Sequence, residues 1–110
     1  MALHVSASTM REQLTNLCHW IAYGHAVVVE GAGRPAVLVR RYRPGDRGQR
    51  ITSTRFRREL HRVLRGVQVE PVVVTASGDP YYWVGPAASD DLAESEQGRR
   101  EWLEWTLARW

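Results

Sequence analysis

With 110 residues, a mass of 12.6 kDa and a formal net charge of +3, the chain has room for one compact domain. So small a domain buries a lesser share of its surface than a large one, and an added strand, partner or second copy strengthens its core. No apolar run reaches the length of about eighteen residues that a spanning helix needs, the opening MALHVSASTM has no signal-peptide character, and the single cysteine, Cys18, excludes an internal disulfide and suits a reducing cytoplasm.

The first predicted element is a short strand near Val5, which runs into Ser6-Ala7-Ser8. Ser8 or a neighbour is placed to cap a helix, because a short hydroxyl accepts from the orphan amides of the first turn. Met10, Leu14, Leu17, Cys18 and Ile21 then fall at i, i+4, i+7, i+8 and i+11, the apolar stripe of an amphipathic helix. Cys18 sits on that stripe and reads as a buried structural thiol. Two β-rich runs follow, AVVVE (26–30) and AVLVR (36–40), joined through Gly31-Ala32-Gly33-Arg34-Pro35. They predict a β-hairpin whose second strand opens on Pro35, where a missing amide costs the ladder least.

Residues 40–50, RRYRPGDRGQR, read as a linker or exposed loop marked by Pro44-Gly45-Asp46 and Gly48. Beyond it the pattern begins again. A shift of 46 positions sets Val5-Ser6-Ala7-Ser8 on Ile51-Thr52-Ser53-Thr54, with Thr54 or a neighbour as the second cap. It also sets Met10 on Phe56, Leu14 on Leu60, Leu17 on Val63, Cys18 on Leu64 and Ile21 on Val67. The same register places Val27-Val28 on Val73-Val74, and one deletion in the hairpin turn then aligns Gly33 with Gly78, Pro35 with Pro80 and Val39 with Val84. VVVTA and YYWVG thus form a second hairpin, in which Tyr82 faces away from Tyr81 and Trp83. Helix stripe, hairpin and turn recurring at one offset point to a duplicated unit.

Ser89-Asp90-Asp91 suits the start of a last helix, with acidic groups at the positive end of its dipole. Gly98 weakens its middle, so the firm part is residues 99–110. There Leu103, Leu107 and Trp110 share one side, and Trp102 and Trp105 an adjacent one. The division is therefore 1–42, 43–50, 51–88 and 89–110. The fold class is α+β, with two tandem β-α-β-β units forming a pseudo-twofold body plus a C-terminal helix.

Charge is strongly segregated along this plan. Residues 40–65 carry ten arginines against Asp46 and Glu59, a balance of +8, while residues 89–110 carry −3. Such asymmetry implies two different partners, or a tail that folds back on the basic segment. All fifteen basic residues are arginine, which a GC-rich genome is enough to explain. Arg55, Arg58, Arg62 and Arg65 make a basic stripe opposite Phe56, Leu60 and Leu64, widened by Arg57 and His61. Phosphate contact and a solvated or tail-docking face are both open to it. The first helix offers only Arg11 on its polar side. Arg40, Arg41, Arg43, Arg47 and Arg50 make either a mobile arm that reaches a groove or a solubilising loop.

Trp102, Leu103, Trp105, Leu107 and Trp110 are the candidate protein-binding residues, since tryptophan is enriched in interface hot spots. Alternatively, the rings complete the protein's own core. No enzyme motif is present: His4, His19, His25 and His61 have no metal-ligand spacing with Cys18 or with paired carboxylates, and the glycines mark turns. No catalytic residue, cofactor or metal is expected.

The segments VSASTMREQLTNL, AYGHAVVVE and GRPAVLV, in that order, resemble the Phd/YefM family of bacterial antitoxins. ITSTRFRRELHRVLRGV and EPVVVTASGDPYYWV look like a second copy of the same unit. The resemblance implies a body that dimerises through a shared sheet and helices and binds operator DNA, and an acidic C-terminal segment that folds against a cognate toxin. Carried onto this chain, it assigns Arg55, Arg58, Arg62, Arg65, Arg41 and Arg43 to DNA and the tryptophan-bearing tail to a toxin or other protein partner. The chain departs from the family in carrying two units, so the dimer-like body would lie within one chain, with further self-association open. An adaptor or inhibitor of phage or mobile-element type, on the same fold without DNA binding, is the competing expectation.

Overall fold

Alternation of β-branched runs with 3.6-periodic stripes produces the elements of the chain. β-Branched side chains pack well on a pleated surface and are restrained in helices. The computed structural model describes residues 2–31, 34–88 and 96–108. In order, the elements are β1 (Ala2–Ser6), α1 (Ala7–Glu12), α2 (Leu14–Ala22), β2 (Ala26–Gly31) and β3 (Arg34–Arg41), then β4 (Gln49–Thr52), α3 (Ser53–Arg58), α4 (Leu60–Gly66), β5 (Val72–Ala76), β6 (Asp79–Pro86) and α5 (Glu96–Ala108).

The six strands form one mixed sheet in the order β1-β2-β3-β6-β5-β4, which reads the same from either edge. Each edge strand runs parallel to its neighbour, and the other pairs are antiparallel. At the centre, buried Val39 of β3 lies opposite buried Val84 of β6, the residue to which the sequence alignment matches it.

Three expectations need correction. The helix caps are Ser6 and Thr52, whose hydroxyls accept from the amides of Thr9 and Arg55, and not Ser8 and Thr54. Ser-Ala-Ser offers two hydroxyls and Thr-Ser-Thr three, and the strand-to-helix turn selects the first of each. Second, each predicted helix is two short ones, broken at the equivalent positions Gln13 and Glu59. Gln13 and Glu59 each close the first helix by donating to Thr9 or Arg55 and open the second by accepting from Leu17 or Val63, so one residue serves both helices at each break. Third, the deletion falls between helix and hairpin, not in the hairpin turn. Val27, Val28 and Val29 pair with Val39, Leu38 and Val37, as Val72, Val73 and Val74 pair with Val84, Trp83 and Tyr82. Val27-Val28 therefore correspond to Val72-Val73. A one-residue slip along Val-Val-Val leaves the letters matched, and only the alternation of faces reveals it.

The helices cover one face of the sheet. Met10, Leu17, Ile21 and Val27 from the first half join Phe56, Leu60, Val67 and Val74 from the second in one buried cluster. On the other face Val28 and Leu38 are packed by Ala26, Ala36, Trp83 and Ala87. Tyr82 packs in the helix-side cluster and Trp83 on the opposite face, as alternation requires.

The expected linker is shorter than 43–50, because Gln49 and Arg50 already pair with Val72 and Val73 in β4. What remains is anchored. Both guanidinium ends of Arg40 reach Asp46 at 2.8 and 2.9 Å, and Trp83 Nε1 donates to the Arg47 carbonyl at 3.3 Å. A Cβ on Gly48 would lie 2.5 Å from the Pro71 carbonyl oxygen, so the close approach of these two backbones requires glycine.

Candidate functional site

The basic stripe of α3 and α4 lies on the outer side of the helix layer. Arg55, Arg58, Arg62 and Arg65 are all exposed, while Phe56, Leu60 and Leu64 point inward. Glu59, at the break, accepts from Arg55 at 2.9 Å and from Arg62 at 3.2 Å. These contacts, with the hydrogen bond from Arg55 foremost, hold its carboxyl below the usual carboxylate range. Two of the four arginines thus share one carboxylate, which offsets the charge of one of them. Arg58 and Arg65 form no ion pair among the described residues, and neither do Arg57 and Arg11.

These groups converge. Arg11 of α1 and Arg57, Arg58, Arg62 and Arg65 line one open cleft of about 440 Å³, with Glu59 as its single carboxylate. The first helix is basic-poor, yet its one arginine faces the second helix pair, so the positive surface spans both halves. An open, arginine-lined cleft attracts anions, and phosphate most readily, because guanidinium groups match its geometry. Arg41 and Arg43 are exposed but line no part of this cleft. Arg40 is committed elsewhere: it pairs with Asp46 and stacks 4.5 Å from the Trp83 ring centre. The linker is therefore held at the Arg40 side chain and at the backbone of Arg43 and Arg47, while the side chains of Arg41 and Arg43 stay exposed.

The last helix, α5, runs unbroken through Gly98. Trp102 and Trp105 turn inward and meet Trp20 edge-on, with ring centres 5.4 and 5.5 Å away. Trp105 also meets Tyr23, at 6.3 Å. The neighbouring side of the helix is left open, with Leu103 60% and Leu107 72% exposed. Trp110 and the acidic entry Ser89-Asp90-Asp91 lie outside the described residues.

Sequence reasoning missed Trp20, which is the platform for α5 and stacks on His25 at 3.7 Å. It follows Cys18 by two positions, beside the apolar stripe, and three aromatic side chains in the tail were the signal that something must receive them. Cys18 itself is buried, and burial pushes its thiol up from the ordinary value, so it is a poor nucleophile. Tyr82 reaches across from β6 to donate to the Cys18 carbonyl at 3.5 Å, and burial pushes its phenol up to about 12. Among the described residues no group of three His, Cys, Asp or Glu side chains stands together as a metal site. Among the described residues no helix is long and apolar enough to cross a membrane.

No family model, no curated protein and no solved structure matches the chain.

Proposed function

We propose that the chain is a non-enzymatic, antitoxin-like binding protein of the cytoplasm, in which two Phd/YefM-type units form a pseudo-twofold body. The arginine cleft would take duplex DNA, and the outer side of α5 a protein partner. The observation that carries this reading is the strand order β1-β2-β3-β6-β5-β4, with Val39 opposite Val84. It is the order that two identical β-α-β-β units give when they join at their hairpin edges, as a symmetric dimer does. The tail supports the second half of the reading. It turns Trp102 and Trp105 onto Trp20 and keeps Leu103 and Leu107 exposed four residues apart, an arrangement suited to a hydrophobic groove on a partner.

Affinity for duplex DNA at several salt concentrations tests the first half. Wild type should bind at low salt, and R58A with R65A should lower the log–log salt slope by about 2, one for each lost phosphate contact. Capture of a partner from the source cell, lost in L103A with L107A, tests the second. Capture without any DNA binding favours the adaptor reading. The docked state of Trp102 and Trp105 already speaks for that alternative, because an adaptor presents a preformed surface rather than a segment that orders on binding.

A further inference from the structure

The two halves differ at one place where their equivalence should bring them to the same result. Val37 of β3 and Tyr82 of β6 hold equivalent positions, each pairing with the third valine of its hairpin, Val29 or Val74. Tyr82 lays its ring under α2 of the opposite half and reaches the Cys18 carbonyl. Val37, facing α4 of the opposite half, is shorter by a phenol ring. Where Tyr82 fills one cleft, the other is open, with a volume of about 210 Å³.

The walls of the open cleft are Ala7, Val29, Pro35, Val37 and Leu64, and they are mostly apolar. Leu64 is the helical equivalent of Cys18, the residue that Tyr82 meets in the filled cleft. A dry cavity of about 150 Å³ is enough for a benzene ring, so this one accommodates a ring with a substituent. His61 and Arg65 stand at the cleft from α4. Arg65 is exposed and forms no ion pair among the described residues. Glu30 also borders the cleft, but its carboxylate is engaged by His4 on the neighbouring strand.

The geometry points to a small-molecule site for an aromatic carboxylic acid, with the ring between Val37 and Leu64, where the other half places Tyr82, and the carboxylate on Arg65 and His61. The site stands on the inequivalence of the two halves and does not rest on DNA or toxin binding. Arg65 serves both readings, so the deciding variants are made elsewhere in the cleft.

The probe is 4-hydroxyphenylacetate, a tyrosine side chain carrying a carboxylate, titrated into the full chain and followed by amide chemical shifts. Saturable shifts are expected at Val29, Val37 and Leu64, and absent from Val74 and Tyr82 in the filled half. V37Y should abolish them by supplying the missing ring, with the melting temperature held or raised. R65Q should weaken binding about tenfold, the usual loss for a hydrogen bond to a charged group. If V37Y does not fold, A7L narrows the same cleft from the helix wall and should weaken binding likewise. No saturable shift at millimolar probe, or shifts indifferent to the plugging variant that folds, would overturn the site. Equal binding of 4-methylphenol, which lacks the carboxylate, would overturn the choice of an acid.

Discussion

Asp46 shows how one side chain converts a loop-forming sequence into a fitted strap. Its carboxylate accepts from both ends of Arg40 and from the Arg43 amide at 2.7 Å. The hydrogen bond from Arg40, above all, holds it below the usual carboxylate range. Arg40 in turn lies on Trp83, which packs over Gly85 so closely that a Cβ there would meet the ring at 2.2 Å. A carboxylate whose folded pKa is depressed adds stability above its unfolded value, near 3.9, and loses it as the pH falls through the folded value. D46N should therefore destabilise the chain by about 1 kcal/mol at pH 7, a partly buried pair being weaker than a fully buried one. The gap between wild type and variant should close as the pH falls below about 4. Denaturant titrations at pH 7 and pH 3 check this, and a gap that stays constant would mean that Asp46 acts by shape and not by charge. The turn itself was legible in Pro44-Gly45-Asp46. Its anchorage was not, because Arg40 and Trp83 become neighbours only once β3 pairs with β6.

At the scale of elements, the hydrophobic stripes foretold which helix faces would be buried, and Met10, Phe56, Leu17 and Leu60 are almost fully enclosed. They could not foretell the breaks at Gln13 and Glu59, because i→i−4 spacing survives such a break. In the tail, periodicity correctly set Trp102 and Trp105 on a different side from Leu103 and Leu107. Which side would meet the body depended on Trp20, which is distant in sequence. Each inward ring now belongs to the protein's own packing. W102A or W105A should cost about 2 kcal/mol, less than a fully buried aromatic loses, and lower the melting temperature by roughly 5–10 °C. L103A and L107A should stay within about 0.5 kcal/mol of wild type, as exposed substitutions do. A chain ending at Pro86 should melt earlier still, with Trp20 newly exposed to water and its fluorescence shifted to the red. Thermal unfolding of the five proteins distinguishes the faces. Equal melting of W102A and wild type would return the tryptophans to the partner-binding surface.

For the molecule as a whole, repetition in the sequence foretold two similar halves, and the palindromic strand order agrees with that expectation. Repetition alone does not say whether the halves are independent domains or one body. The side chains decide it. Residues of both halves share the helix-side cluster, Tyr82 bonds to α2 of the other half, and Gln68 after α4 donates to the Ala36 carbonyl of β3 at 3.3 Å. A core shared in this way has no boundary at which one half could open while the other stayed folded, so unfolding should be a single cooperative event. Phe56 is the place to test it, being 1% exposed and confined by sequence to the second half. F56L keeps most of the volume and should cost about 1–1.5 kcal/mol, leaving the fold populated. In native-state hydrogen exchange, the amides of Val27–29 in β2 and of Val72–74 in β5 should then lose protection by one common factor, roughly 5–10-fold, because both sets exchange through the same global opening. Loss confined to β4 and β5, with β2 unchanged, would show two domains that merely touch, and the single-body account of this sheet would have to be given up.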